Sequence, residues 1–313
     1  MAWIGCLSLV GFVGLRLANH DHRASITLVE SVTLYLLFPA WVAFGFALGS
    51  RRRFLAVVSG FLVMTHLVFL YPEMHAGVSI SSAARAAPSI RVFSANLLAN
   101  NRDLTEMIEQ VREAHADLVF LQEYDRPNRH AFEDSGVLDE YPYQIEFRQP
   151  SPYGSIILSK VPFIDSSLSK IGGIVMPTAV LSTPIGPVTV LCVHLNRPYD
   201  EAQHVGWARE LAALADFVRA RTTPLVVAGD FNSTTSHRPF RDVLAAGVID
   251  AFRARGKGLS NSWPADQSFP PLIRIDHLLT TKEIVVTDIH NGKADGSDHL
   301  PMIANLALVG SSA

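Results

Sequence analysis

The chain has 313 residues, of which 49% are hydrophobic and 18% are charged, and its formal net charge at pH 7 is −3. Residues 1–87 carry six Lys/Arg and three Asp/Glu, a net +3, whereas residues 88–313 carry 20 and 26, a net −6, so the larger part lacks the basic footprint of proteins that grip nucleic acid. The two cysteines, Cys6 and Cys192, lie in apolar segments, which excludes a small disulfide-stabilised fold.

Three apolar segments occupy the first 71 residues. Residues 26–50 contain Glu30 as their only charged residue, and residues 54–71 contain none. About 20 apolar residues cross the hydrocarbon part of a bilayer, so both segments predict transmembrane helices. Residues 2–15 are a third, shorter candidate; the alternative is a signal peptide, but no Lys or Arg precedes this apolar run. Residues 1–71 are therefore predicted to form a membrane region with two or three transmembrane helices.

The charges next to these segments predict an orientation. Three consecutive arginines, residues 51–53, lie between the second and third apolar segments. Short basic loops stay in the cytoplasm, so the third helix is expected to run outward. Arg16 and Arg23 flank the opposite loop and weaken this bias. The sequence thus predicts a multi-pass protein of the cell membrane whose downstream domain is extracytoplasmic.

Downstream of the membrane region the pattern changes twice. Residues 72–89 are small and polar without apolar periodicity, which predicts a flexible linker. Short apolar runs then alternate with amphipathic helices, and a Pro-Ile-Gly-Pro turn joins two runs as an antiparallel pair. Strands are predicted at 90–97, 117–123, 154–160, 179–183, 188–195, 224–232, 273–281, 284–291 and 299–308, and helices at 104–115, 201–221 and 239–246. This order predicts an α/β sandwich of two mixed sheets with helices outside.

Polar side chains stand at the ends of several predicted strands. A single Asp after an apolar strand is more often a turn or helix cap, but the repetition of one arrangement indicates a functional site. The residues are Asn96, Glu123, His194, Asp230, Asn232 and Asp276, followed by Asp298 and His299 in "GSDHLP".

The chemistry of this set predicts a metal site. Four carboxylates brought together repel one another unless a cation holds them, and hard oxygen ligands suit Mg²⁺ or Mn²⁺. The two histidines are expected to serve proton transfer. The combination predicts metal-assisted hydrolysis of a phosphoester.

The same residues resemble the ordered motifs of a known superfamily. Asn96, "LQE" at Glu123, "GDFN" at Asp230 and Asn232, "IDH" at Asp276 and "SDH" at Asp298 and His299 are similar to those of the endonuclease/exonuclease/phosphatase superfamily. That superfamily includes DNase I, the AP endonucleases, neutral sphingomyelinases and inositol polyphosphate 5-phosphatases. The resemblance implies a four-layer, DNase I-like α/β sandwich, with a catalytic domain at residues 90–310.

The resemblance also implies a role for each residue. Glu123 is the expected principal metal ligand, with Asn96 and Asp298 beside it. Asp230 is expected to position or deprotonate the attacking water, and Asn232 to hold the phosphate. His299 paired with Asp276 is expected to steady the scissile phosphate or handle its proton, and His194 to act as the acid for the leaving oxygen.

Further residues are interpreted from their sequence positions. Arg197 follows "VHLN" and is a candidate for phosphate binding, the alternative being an ion pair with Asp200 or Glu201. Arg274 is predicted to share a strand face with Asp276 and to contact the substrate. On the same argument His277 points away from Asp276 and is interpreted as structural. Trp263 is interpreted as a packed aromatic.

These observations predict a membrane-anchored, Mg²⁺-dependent phosphoester hydrolase. An anchor holds the active site near lipid headgroups, so a lipid phosphate, pyrophosphate or phosphodiester is the expected substrate. The layout resembles membrane-bound members of the superfamily associated with glycopeptide (teicoplanin) resistance. An extracytoplasmic, DNase I-like nuclease is the alternative enzyme, although the net charge disfavours nucleic acid. A non-catalytic binding module is a third interpretation, against which the complete set of site residues argues.

Overall fold

The computed structural model describes residues 2–18, 23–99, 101, 103–149 and 152–310. The helices are α1 Ala2–Leu17, α2 Ala24–Ser31, α3 Thr33–Leu36, α4 Phe38–Gly49, α5 Arg53–Met74, α6 Ser82–Ala86, α7 Thr105–Ala114, α8 Arg126–Ser135, α9 Glu201–Ala220, α10 Arg238–Ala245 and α11 Ala251–Ala254. The strands are β1 Ser89–Asn96, β2 Leu118–Gln122, β3 Tyr143–Phe147, β4 Ser155–Ser159, β5 Phe163–Ile171, β6 Ile174–Thr183, β7 Gly186–His194, β8 Leu225–Asp230, β9 Ile249–Asp250, β10 Asp276–Thr280, β11 Ile284–Asn291 and β12 Met302–Leu308.

Two six-stranded mixed sheets form the centre of the downstream domain. Their strand orders are β11-β12-β1-β2-β4-β3 and β5-β6-β7-β8-β10-β9. Each sheet contains one parallel pair, β1 with β2 and β7 with β8, and antiparallel pairs elsewhere. The predicted antiparallel pairing of residues 179–183 with 188–195 is confirmed by the register of β6 with β7.

Three clusters of buried apolar side chains hold the sheets and helices of the downstream domain together. One cluster, including Phe120, Val190 and Leu278, fills the space between the two sheets. A second joins the outer face of the first sheet to α7 and α8, and a third joins the second sheet to α9 and α10. Helices therefore cover both outer faces, and the predicted two-sheet α/β sandwich is confirmed.

The N-terminal helices differ from the prediction at one place. Residues 26–50 were expected to form one helix, but the structure breaks it into α2, α3 and α4, with a bend of 70° at Val32. A further interruption falls at Leu37, and Pro39 lies in the first turn of α4. Proline fits a first turn because it lacks the N–H that an interior turn requires.

The described residues contain one helix that is long and apolar enough to cross a bilayer by itself. This helix is α5, with 22 residues. The segment from α2 to α4 is long and apolar enough only when its two parts, on either side of the 70° bend, are counted as one span. Helix α1 is apolar but shorter. Most of the exposed large hydrophobic side chains in the described parts of the chain lie on α1 to α5.

The predicted linker at residues 72–89 makes contacts with the downstream domain. Its first residues complete α5, where the Glu73 carbonyl accepts a hydrogen bond from Gly258 N at 2.7 Å. Arg255 donates a hydrogen bond to the Val78 carbonyl, and Ala84 in α6 is buried. The segment is therefore packed on the sandwich, which differs from the expected free tether.

Candidate active site

Three neighbouring strands of the second sheet end in polar side chains. In the parallel register of β7 with β8, His194 is opposite Asp230, and in the antiparallel register of β8 with β10, Asp230 is opposite Asp276. Neighbouring strands lie about 4.8 Å apart, so this register alone brings an imidazole and two carboxylates together. The strands are apolar and buried up to these positions.

The first sheet contributes an amide and a carboxylate from its parallel pair. Asn96 ends β1 beside Gln122, the last residue of β2, and Glu123 follows directly. The Asn96 Nδ2 atom lies 3.3 Å from Glu123 Oε1 and 3.2 Å from Asp230 Oδ2, so this side chain connects the two sheets. Its Oδ1 atom accepts a hydrogen bond from Leu98 N. Asn96 thus presents its amide nitrogen to the carboxylates.

Unusual backbone conformations hold two of these carboxylates in place. Glu123 has a φ of 55°, and Ala99 N donates to its Oε2 atom at 2.6 Å. Gly229 precedes Asp230 with a φ of 141°, and a Cβ atom there would lie 2.0 Å from the Val193 carbonyl oxygen. Strained residues of this kind cluster at functional sites, where the surrounding structure fixes them.

The "GDFN" motif forms a local turn around the Asp230 carboxylate. Asn232 has a φ of 47°, a conformation that Asn tolerates better than most residues. Its backbone N–H donates to Asp230 Oδ1 at 2.8 Å, and its side-chain Nδ2 donates to the Leu195 carbonyl at 2.8 Å. The turn therefore orients both Asp230 and Asn232 at the end of β8.

His299 and Asp276 form the imidazole–carboxylate pair that the motifs implied. Nδ1 of His299 lies 2.8 Å from Asp276 Oδ2, and Nε2 lies 3.8 Å from both Asp230 Oδ2 and Asp298 Oδ1. Burial lowers the pKa of His299, but the charges of Asp276 and Asp230 outweigh it and raise the pKa to about 10. The ring is therefore a cation at neutral pH, suited to face a phosphate oxygen.

At the two other central groups, Asp230 and His194, burial outweighs the neighbouring charges. Burial raises the pKa of Asp230 to about 7. The positive charge of His299 lowers this pKa, and the negative charge of Asp276 raises it. Burial lowers the pKa of His194, so that imidazole is neutral at neutral pH. His194 Nε2 lies 3.8 Å from Glu123 Oε1, and its buried Nδ1 has no hydrogen-bond partner among the described residues. A neutral ring accepts a proton more readily than it supplies one.

The donor set fits a divalent cation. Ligand atoms of Asp230, Asp276 and His299 all lie within 4.8 Å of one another, and Glu123 faces Asp230 across the Asn96 amide. Adjacent buried carboxylates repel one another, and after burial the charges of Asp276 and Glu123 also raise the pKa of Asp230. An oxygen-rich set of this kind suits a hard ion such as Mg²⁺.

A cavity of about 450 Å³ opens onto this cluster. Glu123, Asp230, Asn232, Asp298 and His299 line one end of it. Leu28 and Ser31 of α2, and Val32 directly after it, line another part together with Ile273 and Ile275. The cavity thus joins a charged end to an apolar wall.

The sequence matches the Endonuclease/Exonuclease/phosphatase family over residues 90–299, which is more than half of the chain. The chain belongs to this family. No curated protein matches it by sequence. Solved structures that it resembles include TDP2 from D. rerio complexed with a single-strand DNA product, at 17% identity and a TM-score of 0.59 over 70% of this chain and 98% of that one.

Two further structures show the same likeness. An endonuclease/exonuclease/phosphatase from Beutenbergia cavernae has 18% identity and a TM-score of 0.54 over 70% of this chain and 72% of that one. An AP endonuclease from Archaeoglobus fulgidus has 16% identity and a TM-score of 0.54 over 69% and 98%. At these identities the likeness shows the fold.

Family membership establishes the class of reaction. Endonuclease/exonuclease/phosphatase enzymes hydrolyse phosphoesters and depend on a divalent metal, typically Mg²⁺. The chain is accordingly a phosphoester hydrolase. Its buried acidic and imidazole cluster has the chemistry that such an enzyme requires.

Arg274 requires a correction. It was predicted to share a strand face with Asp276, but β10 begins only at Asp276, so strand alternation does not extend back to residue 274. Its guanidinium is buried and forms ion pairs with Asp250 at 2.7 Å and Glu73 at 3.3 Å. Arg274 does not line the cavity at the catalytic cluster and serves the packing of α5 on the sandwich.

The remaining candidates divide between the site and the core. Arg197 lines the cavity, is exposed, lies over the Tyr199 ring and forms no ion pair with a described residue. His277 is buried between Asp250 and the Ser233 carbonyl, a structural position as interpreted. Trp263 lines the cavity, and its Nε1 donates to Asp298 Oδ2 at 3.1 Å.

Sequence reasoning missed several residues of the cavity. Trp263 was interpreted as packed, although its position just before "IDH" was a signal for a place near the site. Also missed were Tyr199, Leu28 and Ser31 of α2, and Val32 directly after this helix. No local pattern marks α2 as an active-site wall, because its approach to the sandwich is a tertiary contact between distant segments.

Proposed function

We propose that the protein is a membrane-anchored, Mg²⁺-dependent hydrolase of a lipid-borne phosphate, pyrophosphate or phosphodiester, with its catalytic domain outside the cytoplasm. The observation that carries this proposal is the shared cavity: Leu28 of α2 and Val32 at the bend after it line the same space as Asp230 and His299. A phosphate held at the cluster therefore has hydrocarbon-compatible surface beside it. A soluble phosphoester has no use for such a wall.

The charge and length of α5 support the orientation. Its last turn carries Glu73, which pairs with Arg274 of the sandwich, while Arg51, Arg52 and Arg53 lie at its opposite end. A helix of 22 residues is about 33 Å long, close to the thickness of the hydrocarbon layer. Basic residues stay on the cytoplasmic side, so the catalytic domain would lie on the other side.

The chain's own residues suit in-line attack on phosphorus. Asp230, oriented by the Asn232 N–H, is placed to hold the attacking water and accept its proton. His299, kept cationic by Asp276, is placed to stabilise charge on the phosphate oxygens. Glu123 and Asp298 would hold Mg²⁺, which when bound supplies Lewis-acid stabilisation of the phosphoryl group. Neutral His194, whose Nε2 lies 3.8 Å from Glu123 Oε1 and 4.0 Å from Asp230 Oδ2, is available to accept a proton.

A direct assay distinguishes the possible substrates. The full chain in detergent micelles with Mg²⁺ is tested for phosphate release from a polyprenyl pyrophosphate, headgroup release from sphingomyelin and nicking of plasmid DNA. Asp230→Ala should abolish the true activity, whereas Asp216→Ala, an exposed carboxylate on α9, should leave it unchanged. Lipid turnover lost only in the first variant supports the proposal; nicking alone would replace it with a nuclease.

The nuclease is a second candidate because Arg197 is exposed at the cavity rim and free of ion pairs among the described residues. Such a guanidinium suits a phosphodiester backbone. The net charge of −6 over residues 88–313 disfavours it. DNA hydrolysis that weakens steeply as salt is added would favour it.

The orientation has its own test. A phosphatase reporter that is active only outside the cytoplasm, inserted near residue 80, is expected to be active. Activity of a reporter that functions only in the cytoplasm would reverse the proposed topology.

A further inference from the structure

The cavity at the catalytic cluster is the first of three that follow one another along the bent N-terminal helices. The second, of about 130 Å³, shares Ser31 and Ile273 with it. The third, of about 690 Å³, shares Tyr35 and Phe38 with the second. Each cavity therefore has walls in common with the next.

The residues shared between the cavities come from successive pieces of the bent segment. Ser31 ends α2, Tyr35 lies in α3 and Phe38 begins α4. A bend of 70° at Val32 separates Ser31 from the other two. The break in the helix thus gives the three cavities a common wall.

The chemistry of the walls changes along the series. Carboxylates and imidazole line the first cavity at the catalytic end. In the second, the charged groups Glu73 and Arg274 pair with each other at 3.3 Å. Its wall is mixed: the sandwich contributes Thr234, Thr235, Ser236 and Asn261, and the N-terminal helices contribute Leu34, Phe38 and Leu70. The third lies between α1 and α4, where its described lining, including Leu9, Val42 and Phe46, carries no charge.

We infer that these three cavities form a track for the hydrocarbon chain of the substrate, with its phosphate at Asp230 and His299 and its tail along Ser31, Tyr35 and Phe38. The inference rests on the proposed lipid substrate and adds the binding path. The occupant is a hydrocarbon chain because the track runs from a phosphate site to an uncharged groove on helices whose outer surface is apolar. Ser31 stands at the junction between the first two cavities and is the position that a bulky side chain would close.

A photoreactive alkyl phosphate tests the track without turnover. The probe is a sixteen-carbon alkyl phosphate with a diazirine at the end of its chain, added to the full protein in detergent with EDTA. Labelling within residues 35–46 that hexadecyl phosphate competes away, and butyl phosphate does not, is expected. Labelling only outside the N-terminal helices would overturn the track.

Two substitutions of Ser31 distinguish blocking of the track from the loss of a hydrogen bond. Ser31 Oγ contacts His237 Nε2 at 3.1 Å, so Ser31→Ala removes this bond without filling the junction, whereas Ser31→Trp fills it. Labelling should persist in Ser31→Ala and fall about tenfold in Ser31→Trp. A tenfold lower affinity corresponds to about two CH₂ groups of the probe that are no longer buried. Equal labelling in both variants would contradict the inference.

Turnover then distinguishes the track from the proposed function. The ratio of kcat/KM for hexadecyl phosphate to that for butyl phosphate should fall about tenfold in Ser31→Trp relative to the unaltered protein. Long-chain hydrolysis whose chain-length preference is the same in Ser31→Trp overturns the track and leaves the function standing. Specific labelling without any lipid hydrolysis would remove the proposed function and support the track as a binding site.

Discussion

Nδ1 of His299 lies 2.8 Å from Oδ2 of Asp276, and this contact decides the charge of the imidazole that faces the centre of the cluster. The two residues come from different parts of the chain, a strand start and the loop before β12. Asp276 holds the ring through Nδ1, so Nε2 points toward Asp230 and Asp298. The carboxylate also raises the pKa of the ring against the effect of burial.

Replacing Asp276 by Asn should retain a hydrogen-bonding side chain but remove this charge. We expect kcat/KM to fall about 100-fold or more, the usual contribution of a positioned proton-handling or charge-stabilising group. The measurement is the hydrolysis of bis(p-nitrophenyl) phosphate with Mg²⁺. Asp242→Asn, an exposed carboxylate on α10, is the control and should keep full activity. Full activity in Asp276→Asn would remove this pair from the mechanism.

Gly229 is predicted to tolerate no side chain. Gly229→Ala places a Cβ atom 2.0 Å from the Val193 carbonyl in a backbone conformation that L residues rarely adopt. We expect a loss of about 3 kcal/mol or more, equivalent to roughly 10 °C in Tm. Gly186→Ala is the matched control: its φ is 92°, but nothing lies within 4 Å of the added atom, so it should cost about 1 kcal/mol. Equal melting of the two variants would show that the contact with Val193 is unimportant.

Much of the sandwich was predictable because its central strands are buried on both faces. Such strands appear in the sequence as continuous apolar runs, as at β8 and β2. The missed strands β3 and β5 are the outermost strands of their sheets, and β5 is largely exposed. Edge strands do not require apolar residues on both faces, so the pattern that identified the others was missing.

One missed helix did carry a local signal. Asp125 caps the N-terminus of α8 by accepting from Asn128 N, Pro127 lies in the first turn, and Gly136 ends the helix in a left-handed conformation. These are typical start and stop residues. The helix was overlooked because its apolar face is short, with Phe132 as its large buried residue.

The candidate site was predictable where its residues follow strands and unpredictable where distant segments meet. Asn96, Glu123, Asp230, Asp276 and His299 converge because strand ends of both sheets share one edge. The apolar wall from α2 depends on how the N-terminal helices dock, which no spacing in the sequence encodes. Arg274 was assigned wrongly for the same reason, since its partner Glu73 is 201 positions away.

Asp250 should make stability depend on pH. Burial raises the pKa of its carboxyl, but Arg274 and His277 outweigh burial and hold it well below its usual range. The unfolded chain binds a proton at Asp250 below about pH 4, whereas the folded protein does not, so its stabilising contribution is present above that pH and is lost as the pH falls further.

The test compares Asp250→Asn with the unaltered protein at several pH values. At pH 7 the variant should lose about 3 kcal/mol, because it leaves the buried Arg274 with one fewer charge partner. The difference in Tm between the two proteins should shrink between about pH 4 and pH 3. Asp288→Asn is the control, because its ion pair with Lys257 is exposed and contributes about 0–1 kcal/mol. A Tm difference that grew on acidification would reverse the sign argued here.

Glu123 is predicted to be essential for binding the cation. Its carboxylate faces Asp230 in a buried cluster, and Glu123→Gln keeps the shape of the side chain while removing one negative charge. We expect affinity for Mn²⁺, measured by electron paramagnetic resonance of the free ion, to fall about 100-fold, since even residues that only support a ligand contribute 10- to 100-fold. Glu133→Gln, an exposed residue of α8, should bind as the unaltered protein does. Because hydrolysis needs the same ion, EDTA should abolish activity in the control and added Mg²⁺ should restore it. Unchanged Mn²⁺ affinity in Glu123→Gln would show that Glu123 is not a ligand of the cation.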